Sequence, residues 1–214
     1  MSAPVVLESL DLAALLCSRV CHDLISPVGA IVNGLEVLED GKDEETKAFA
    51  QDLIKKSART ASARLQFCRL AFGAAGSAGA QIDTGDAEKA ARGFIEDDKT
   101  TLAWNVPRVL LAKNRVKLLV NLLVIAQQAI PRGGNITADA QGEGNNMGFR
   151  LTATGANARV PQAAMALLAG TPESGTVDAH GIQPFYAGLL GRVCGLSVAV
   201  TEEGESVVVA TRQD

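Results

Sequence analysis

An apolar repeat at the start of the chain limits the fold more than any other feature. Leu7, Leu10, Ala14, Cys17, Cys21, Leu24, Val28, Ile31, Leu35 and Leu38 recur at alternating gaps of three and four. Only a long helix keeps such a heptad seam on one side. A helix over Glu8 to Glu39 would run about 48 Å at about 1.5 Å per residue, and Asp40-Gly41 supplies its stop. Asp43 is then the N-cap of a second helix, with Glu44 and Glu45 in its first turn. That helix carries Ala50, Ile54, Ser57, Ala61, Leu65, Cys68 and Phe72 at similar spacing, and so short a loop makes the pair an antiparallel hairpin. Leu12, Leu16, Val20 and Ile25 widen the apolar face of the first helix beyond what one neighbour covers. A symmetric homodimer whose two hairpins form a four-helix bundle is therefore expected.

Gly73 to Asp86 is rich in Gly and Ala and reads as a linker. Beyond it the pattern becomes mixed α and β, dividing the chain into domains over 1–75 and 85–214. Ala87 to Glu96, Lys113 to Ile130, Ala163 to Leu168 and Phe185 to Val193 read as helices. Leu102 to Val106, Asn135 to Ala140 and Met147 to Ala153 read as strands, and Leu196 to Thr201 with Glu205 to Thr211 as a closing hairpin. The fold class is thus α+β multidomain: a helical hairpin followed by a two-layer α/β sandwich with helices on one face of a mostly antiparallel sheet.

Composition removes several function classes. The formal net charge of -4 argues against a nucleic-acid binder that works by charge, and one Trp, one Tyr and six Phe argue against base stacking. The apolar run Leu118 to Ala126 is broken by Asn121 and is shorter than a bilayer. Met1 to Leu10 lacks the basic start and apolar core of a signal peptide, so a cytoplasmic protein is expected. Cys17, Cys21, Cys68 and Cys194 read as small buried hydrophobes, and no metal site is expected.

Chemistry concentrates at one of the two histidines. His22 lies one position past the seam residue Cys21 and points roughly 130° from the seam centre, toward solvent. Arg19 and Ser26 share its ridge, and Asp23 follows it directly. Pro27 comes five residues later, inside what the heptad makes continuous helix. An interior proline removes the hydrogen bond to the Asp23 carbonyl and costs about 3 kcal/mol. A bundle helix does not ordinarily carry that cost, so His22 is a candidate functional residue.

His22-Asp23-Leu24-Ile25-Ser26-Pro27 resembles the H-[E/D]-L-x-x-P box of sensor histidine kinases, and the α/β domain is similar in order to their ATP-binding domain. Val120 to Ala126 resembles the N-L-L-x-N-A box, with Ile125 where the magnesium-binding Asn belongs. Thr152 to Asn157 stands at the D-x-G-x-G box with Ala153 for its Asp, and His180 to Phe185 stands where a glycine-rich lid belongs. No P-loop G-x-x-x-x-G-K-[S/T] occurs. The combination resembles the ChpT-type histidine phosphotransferases of alphaproteobacterial cell-cycle phosphorelays, which keep the dimeric kinase layout without ATP binding.

That resemblance implies a phosphotransferase in which His22 accepts a phosphoryl group and Asp23 orients or activates it. The donor would be the receiver domain of a hybrid histidine kinase and the acceptors response-regulator receiver domains. No cofactor is implied on this chain, since Mg²⁺ is expected on the receiver. Arg19, Ser26 and Pro27 are expected at the docking face. So is Arg59, one of a basic set on the second helix with Lys47, Lys55, Lys56, Arg64 and Arg69. Two rival readings are a divergent ATP-dependent kinase and a non-catalytic adaptor that docks receivers.

Overall fold

In the computed structural model, which describes residues 4–73 and 80–213, α1 (Ser9–Asp40) and α2 (Glu44–Ala71) form the antiparallel hairpin. Asp43 caps α2 by accepting from the Thr46 backbone N–H at 2.8 Å. The seam read from the sequence divides into two strips. Leu10, Ala14, Cys17, Cys21, Ile25, Val28, Val32 and Leu35 lie exposed along one side of α1, with Leu10 at 83% and Ile25 at 71%. Pro27 and Gly34 are buried, and Leu16, Val20, Ile31 and Leu38 are half-buried. At about 100° per residue the two strips are centred roughly a third of a turn apart. Leu24, Ile31 and Leu38 thus belong to the inner strip, and Ile25 and Val32 join the outer one. Cys17 and Cys21 are exposed rather than buried, while Cys68 is the buried thiol.

By length and composition α1 is apolar enough to cross a membrane, although little of it is buried. A span would place Arg19, His22 and Asp23 in hydrocarbon, where charge is costly.

The stretch expected to be a linker is partly structured. Residues 74–79 lie outside the described residues, but Gln81–Asp83 is strand β1, and Asp83 caps α3 (Thr84–Ile95) through the Gly85 N–H at 2.7 Å. β1 pairs antiparallel with β3 (Leu110–Ala112), a two-stranded sheet that periodicity did not disclose. The remaining elements are β2 (Thr100–Asn105), α4 (Lys113–Ala129), β4 (Gly134–Gln141), β5 (Gly148–Thr154), α5 (Gln162–Ala169), α6 (Ile182–Val193), β6 (Leu196–Glu203) and β7 (Ser206–Gln213). The larger sheet has the order β2-β4-β5-β7-β6, parallel only between β2 and β4. Its register places Ile136, Ala153 and Val207 in one buried row, and Ala138, Leu151, Val209 and Val200 in the next. α4 and α6 pack side by side on this sheet.

The hairpin does not stand apart from this domain. Phe67 and Ala71 of α2 belong to the same apolar core as α3, α4 and the sheet. Two polar side chains of α4 meet the end of α2: Asn121 Nδ2 donates to the Ala71 carbonyl at 3.3 Å, and Lys117 Nζ to the Phe72 carbonyl at 3.4 Å.

Two glycines of α1 separate helix propensity from tertiary fit. A Cβ on Gly34 would lie 2.7 Å from Ile54 Cγ1, whereas nothing lies within 4 Å of one on Gly29. Gly29→Ala should gain about 0.5–1 kcal/mol in urea denaturation. Gly34→Ala should lose that gain to the clash and come out net destabilised.

Candidate functional site

His22 lies in the middle of α1, exposed and roughly 100° around the helix from the outer strip. It does not face open solvent alone. The ring of His180 stands 5.3 Å from it, centroid to centroid, with the planes inclined by 36°. The chain's two histidines, far apart in sequence, thus meet.

The local fold fixes His180. Asp178 Oδ1 accepts the backbone N–H of His180 at 3.0 Å and of Gly181 at 2.7 Å, an Asx-type cap at the entry to α6. α6 begins at Ile182, three residues earlier than the apolar pattern indicates, and Ile182, Gln183, Pro184 and Phe185 are all buried. Pro184 is tolerated because a first-turn residue has no helix partner for an N–H. Gly188 brings α6 against α5, where a Cβ would overlap the Leu168 carbonyl oxygen. The segment that stands where a glycine-rich lid belongs is therefore the entry and first turn of a helix.

Around Asp23 the geometry differs from the sequence reading. Arg19 grips its carboxylate from both sides, Nη2 to Oδ1 at 3.0 Å and Nε to Oδ2 at 3.2 Å, with each side chain 16% exposed. No hydrogen bond joins Asp23 to His22 among the described residues. The Asp23 carbonyl is the one that Pro27, lacking an N–H, leaves without a helix partner. Arg64 Nη1 of α2 donates to it at 2.7 Å. Pro27 itself is buried, so it acts inside the hairpin and not at the docking face where it was expected.

Ser26 is exposed on the His22 ridge. Arg59 is exposed too, but it lies in a groove with Ser62, Gln66 and Lys89 between α2 and α3, a different face of α2 from Arg64. Arg64, not Arg59, is the basic residue brought to the site. The missed signal was its register: residue 64 comes opposite residue 23 across the hairpin. The same charges surround Cys68, whose thiol is pushed up to about 11, first by burial and then by the Asp23 carboxylate, against Arg19 and Arg64.

The positions that would hold a nucleotide are apolar and closed. Ile125 and Ala153 are fully buried, Ala153 between Ile136 and Val207 in the sheet. A cleft of about 750 Å³ remains beside α5 and the start of α6. Glu173, Asp178 and His180 are among the described residues that line it, with no Lys or Arg. Neither a magnesium ligand nor a partner for an adenine amino group is offered at Ile125 and Ala153.

Residues 84–206 match the family model of the histidine phosphotransferase C-terminal domain. Over 208 residues the chain is 50% identical to the protein phosphotransferase ChpT of Brucella abortus (strain 2308), spanning 97% of this chain and 98% of that one. The chain belongs to the histidine phosphotransferase family. Its fold agrees with the 1.7 Å structure of a bacterial phosphotransferase, with a TM-score of 0.89 and 47% identity, over 99% of this chain and 100% of that one. The histidine phosphotransferase is thus an enzyme, and its helical hairpin followed by an α/β sandwich is the fold class expected from the sequence.

Pro27 and Arg64 should be energetically coupled. Arg64→Ala strands the Asp23 carbonyl and should cost about 1–3 kcal/mol. In a Pro27→Ala background the helix N–H returns to that carbonyl, so Arg64→Ala should cost less by about 1 kcal/mol. Denaturation of the four members of this cycle measures the coupling.

Proposed function

We propose that His22 receives a phosphoryl group from the aspartyl phosphate of a hybrid kinase's receiver domain and passes it to the receivers of response regulators. The observation that carries this reading is the exposed imidazole on the polar ridge of α1, in a chain of the phosphotransferase family. The lone pair of a ring nitrogen forms the P–N bond as the acyl-phosphate P–O bond breaks, and the electron pair leaves on the donor aspartate. The second transfer reverses these steps on the acceptor. Phosphoryl transfer of this kind needs positioning and charge neutralisation, and the receiver brings its own Mg²⁺.

Asp23 and Arg19 act as a neutral pair beside the nucleophile. An unpaired carboxylate next to His22 would repel the incoming phosphoryl oxygens, and the Arg19 grip removes that repulsion. Ser26 and the Arg19 ridge meet the receiver. Arg64 serves from beneath by holding the backbone at Asp23. ATP takes no part, a reading supported by the buried Ile125 and Ala153. The same reading puts the protein in the cytoplasm with its receivers, as a homodimer that covers the outer strip of α1 against a second copy.

Radiolabelled transfer from a phosphorylated receiver tests the first claim. The wild type should take label that is labile to acid and stable to base, ATP alone should give none, and His22→Ala should lose it all. A chain that binds the receiver but never takes label is an adaptor, and label surviving in His22→Ala overturns the His22 assignment.

The dimer is tested by sedimentation. Val28 and Val32 are about half exposed in the protomer, so Val28→Glu with Val32→Glu should leave the hairpin folded. Buried in a dimer, the two carboxylates should cost several kcal/mol of assembly. The wild type should sediment as a dimer at micromolar concentration and the double variant as a monomer.

A further inference from the structure

We propose that His180 is a second contact for the phosphoryl group, donating a ring N–H to the oxygens of that group while His22 holds it. The proposal rests on the reading of His22 as the phosphoryl carrier. Its ring, 5.3 Å from His22 centroid to centroid, is close enough to meet a tetrahedral group attached there. Both residues are exposed, so an incoming donor reaches the space between them.

Charge makes the case. On the receiver the phosphoryl group has a metal ion beside it, and on leaving for His22 it must exchange that cation for something else. The nearby guanidinium groups are engaged, Arg19 with the Asp23 carboxylate and Arg64 with the Asp23 carbonyl. Asp178 accepts the backbone N–H groups of His180 and Gly181 on Oδ1, and among the described residues no hydrogen bond joins its carboxylate to either ring. Among the described residues neither ring nitrogen of His180 has a hydrogen-bond partner, which leaves an N–H to give. The backbone that carries the ring is held by the Asp178 cap and by the seating of α6 against α5, so the donor is already in place when the group arrives.

The consequence is a longer-lived phosphohistidine. Cleavage of the P–N bond proceeds through a loose transition state, driven by electron density that moves from the phosphoryl oxygens onto phosphorus. A donor on those oxygens holds that density back. His180 forms no covalent bond in either transfer, and its proton stays on its own ring.

Potassium phosphoramidate tests this without a receiver, since it phosphorylates imidazole and releases ammonia. Wild type, His180→Ala, His180→Gln and His22→Ala are charged with it and followed by ³¹P NMR. A resonance present in wild type, His180→Ala and His180→Gln and absent from His22→Ala belongs to His22 and supports the carrier reading. With that established, His180→Ala should show a shifted ³¹P resonance and a phosphohistidine that decays about five-fold faster or more. His180→Gln, which keeps an N–H donor, should restore the lifetime to within about two-fold, a rescue that loss of fold would not give. An unchanged lifetime and resonance in His180→Ala, or a His180→Gln that decays like the Ala variant, overturns the proposal. If no resonance is lost in His22→Ala, the carrier reading falls and the proposal with it.

Discussion

The last carbonyls of a helix have no partner within it, and the way α2 meets that constraint decides where the rest of the molecule lies. Ala71 and Phe72 give their carbonyl oxygens to Asn121 and Lys117 of α4, while Phe67 and Ala71 sink into the core of the α/β domain. The hairpin is thereby seated on the domain and not merely tethered to it. Because α4 and α6 lie side by side on one sheet, fixing α2 on α4 also fixes α1 against the start of α6. The meeting of His22 with His180 follows from that seating.

A second unsatisfied carbonyl organises the site. Pro27 removes one hydrogen bond from α1, and Arg64 answers from the neighbouring helix. Backbone disruption is thus turned into a link between helices at the turn that carries His22. A guanidinium is suited to this place because it stays charged and offers several donors in a fixed plane. Arg19 meanwhile neutralises Asp23, so the turn presents an imidazole next to a closed ion pair instead of a bare carboxylate. One side of α1 is polar and ordered, and the adjacent side is a bare apolar strip.

At Ile125 and Ala153 the α/β domain is built of apolar core. Ala153 completes a row of the sheet between Ile136 and Val207, and Ile125 is fully enclosed on α4. A polar side chain buried at either position would need a hydrogen-bond partner, and an apolar one needs none. What the domain retains is a rigid platform. It holds α6, and α6 holds His180.

The hairpin, the helices of the α/β domain, the five strands of its larger sheet, the exposure of His22 and the apolar character of Ile125 and Ala153 were legible in the sequence, whereas β1 and β3 were not. Each legible feature rests on local periodicity or residue type, which survive any tertiary arrangement. Periodicity also merged two apolar strips of α1 into one seam, because strips a third of a turn apart share the same spacing of three and four. Only the tertiary structure decided which strip faces α2, that Arg64 and not Arg59 reaches the site, and that Asp23 belongs to Arg19. It alone brought His180 to His22 from a distant part of the chain. Those facts depend on the register between helices and on the seating of one unit against another. Register and seating are set by contacts between residues distant in the chain, to which a pattern read along one helix is blind.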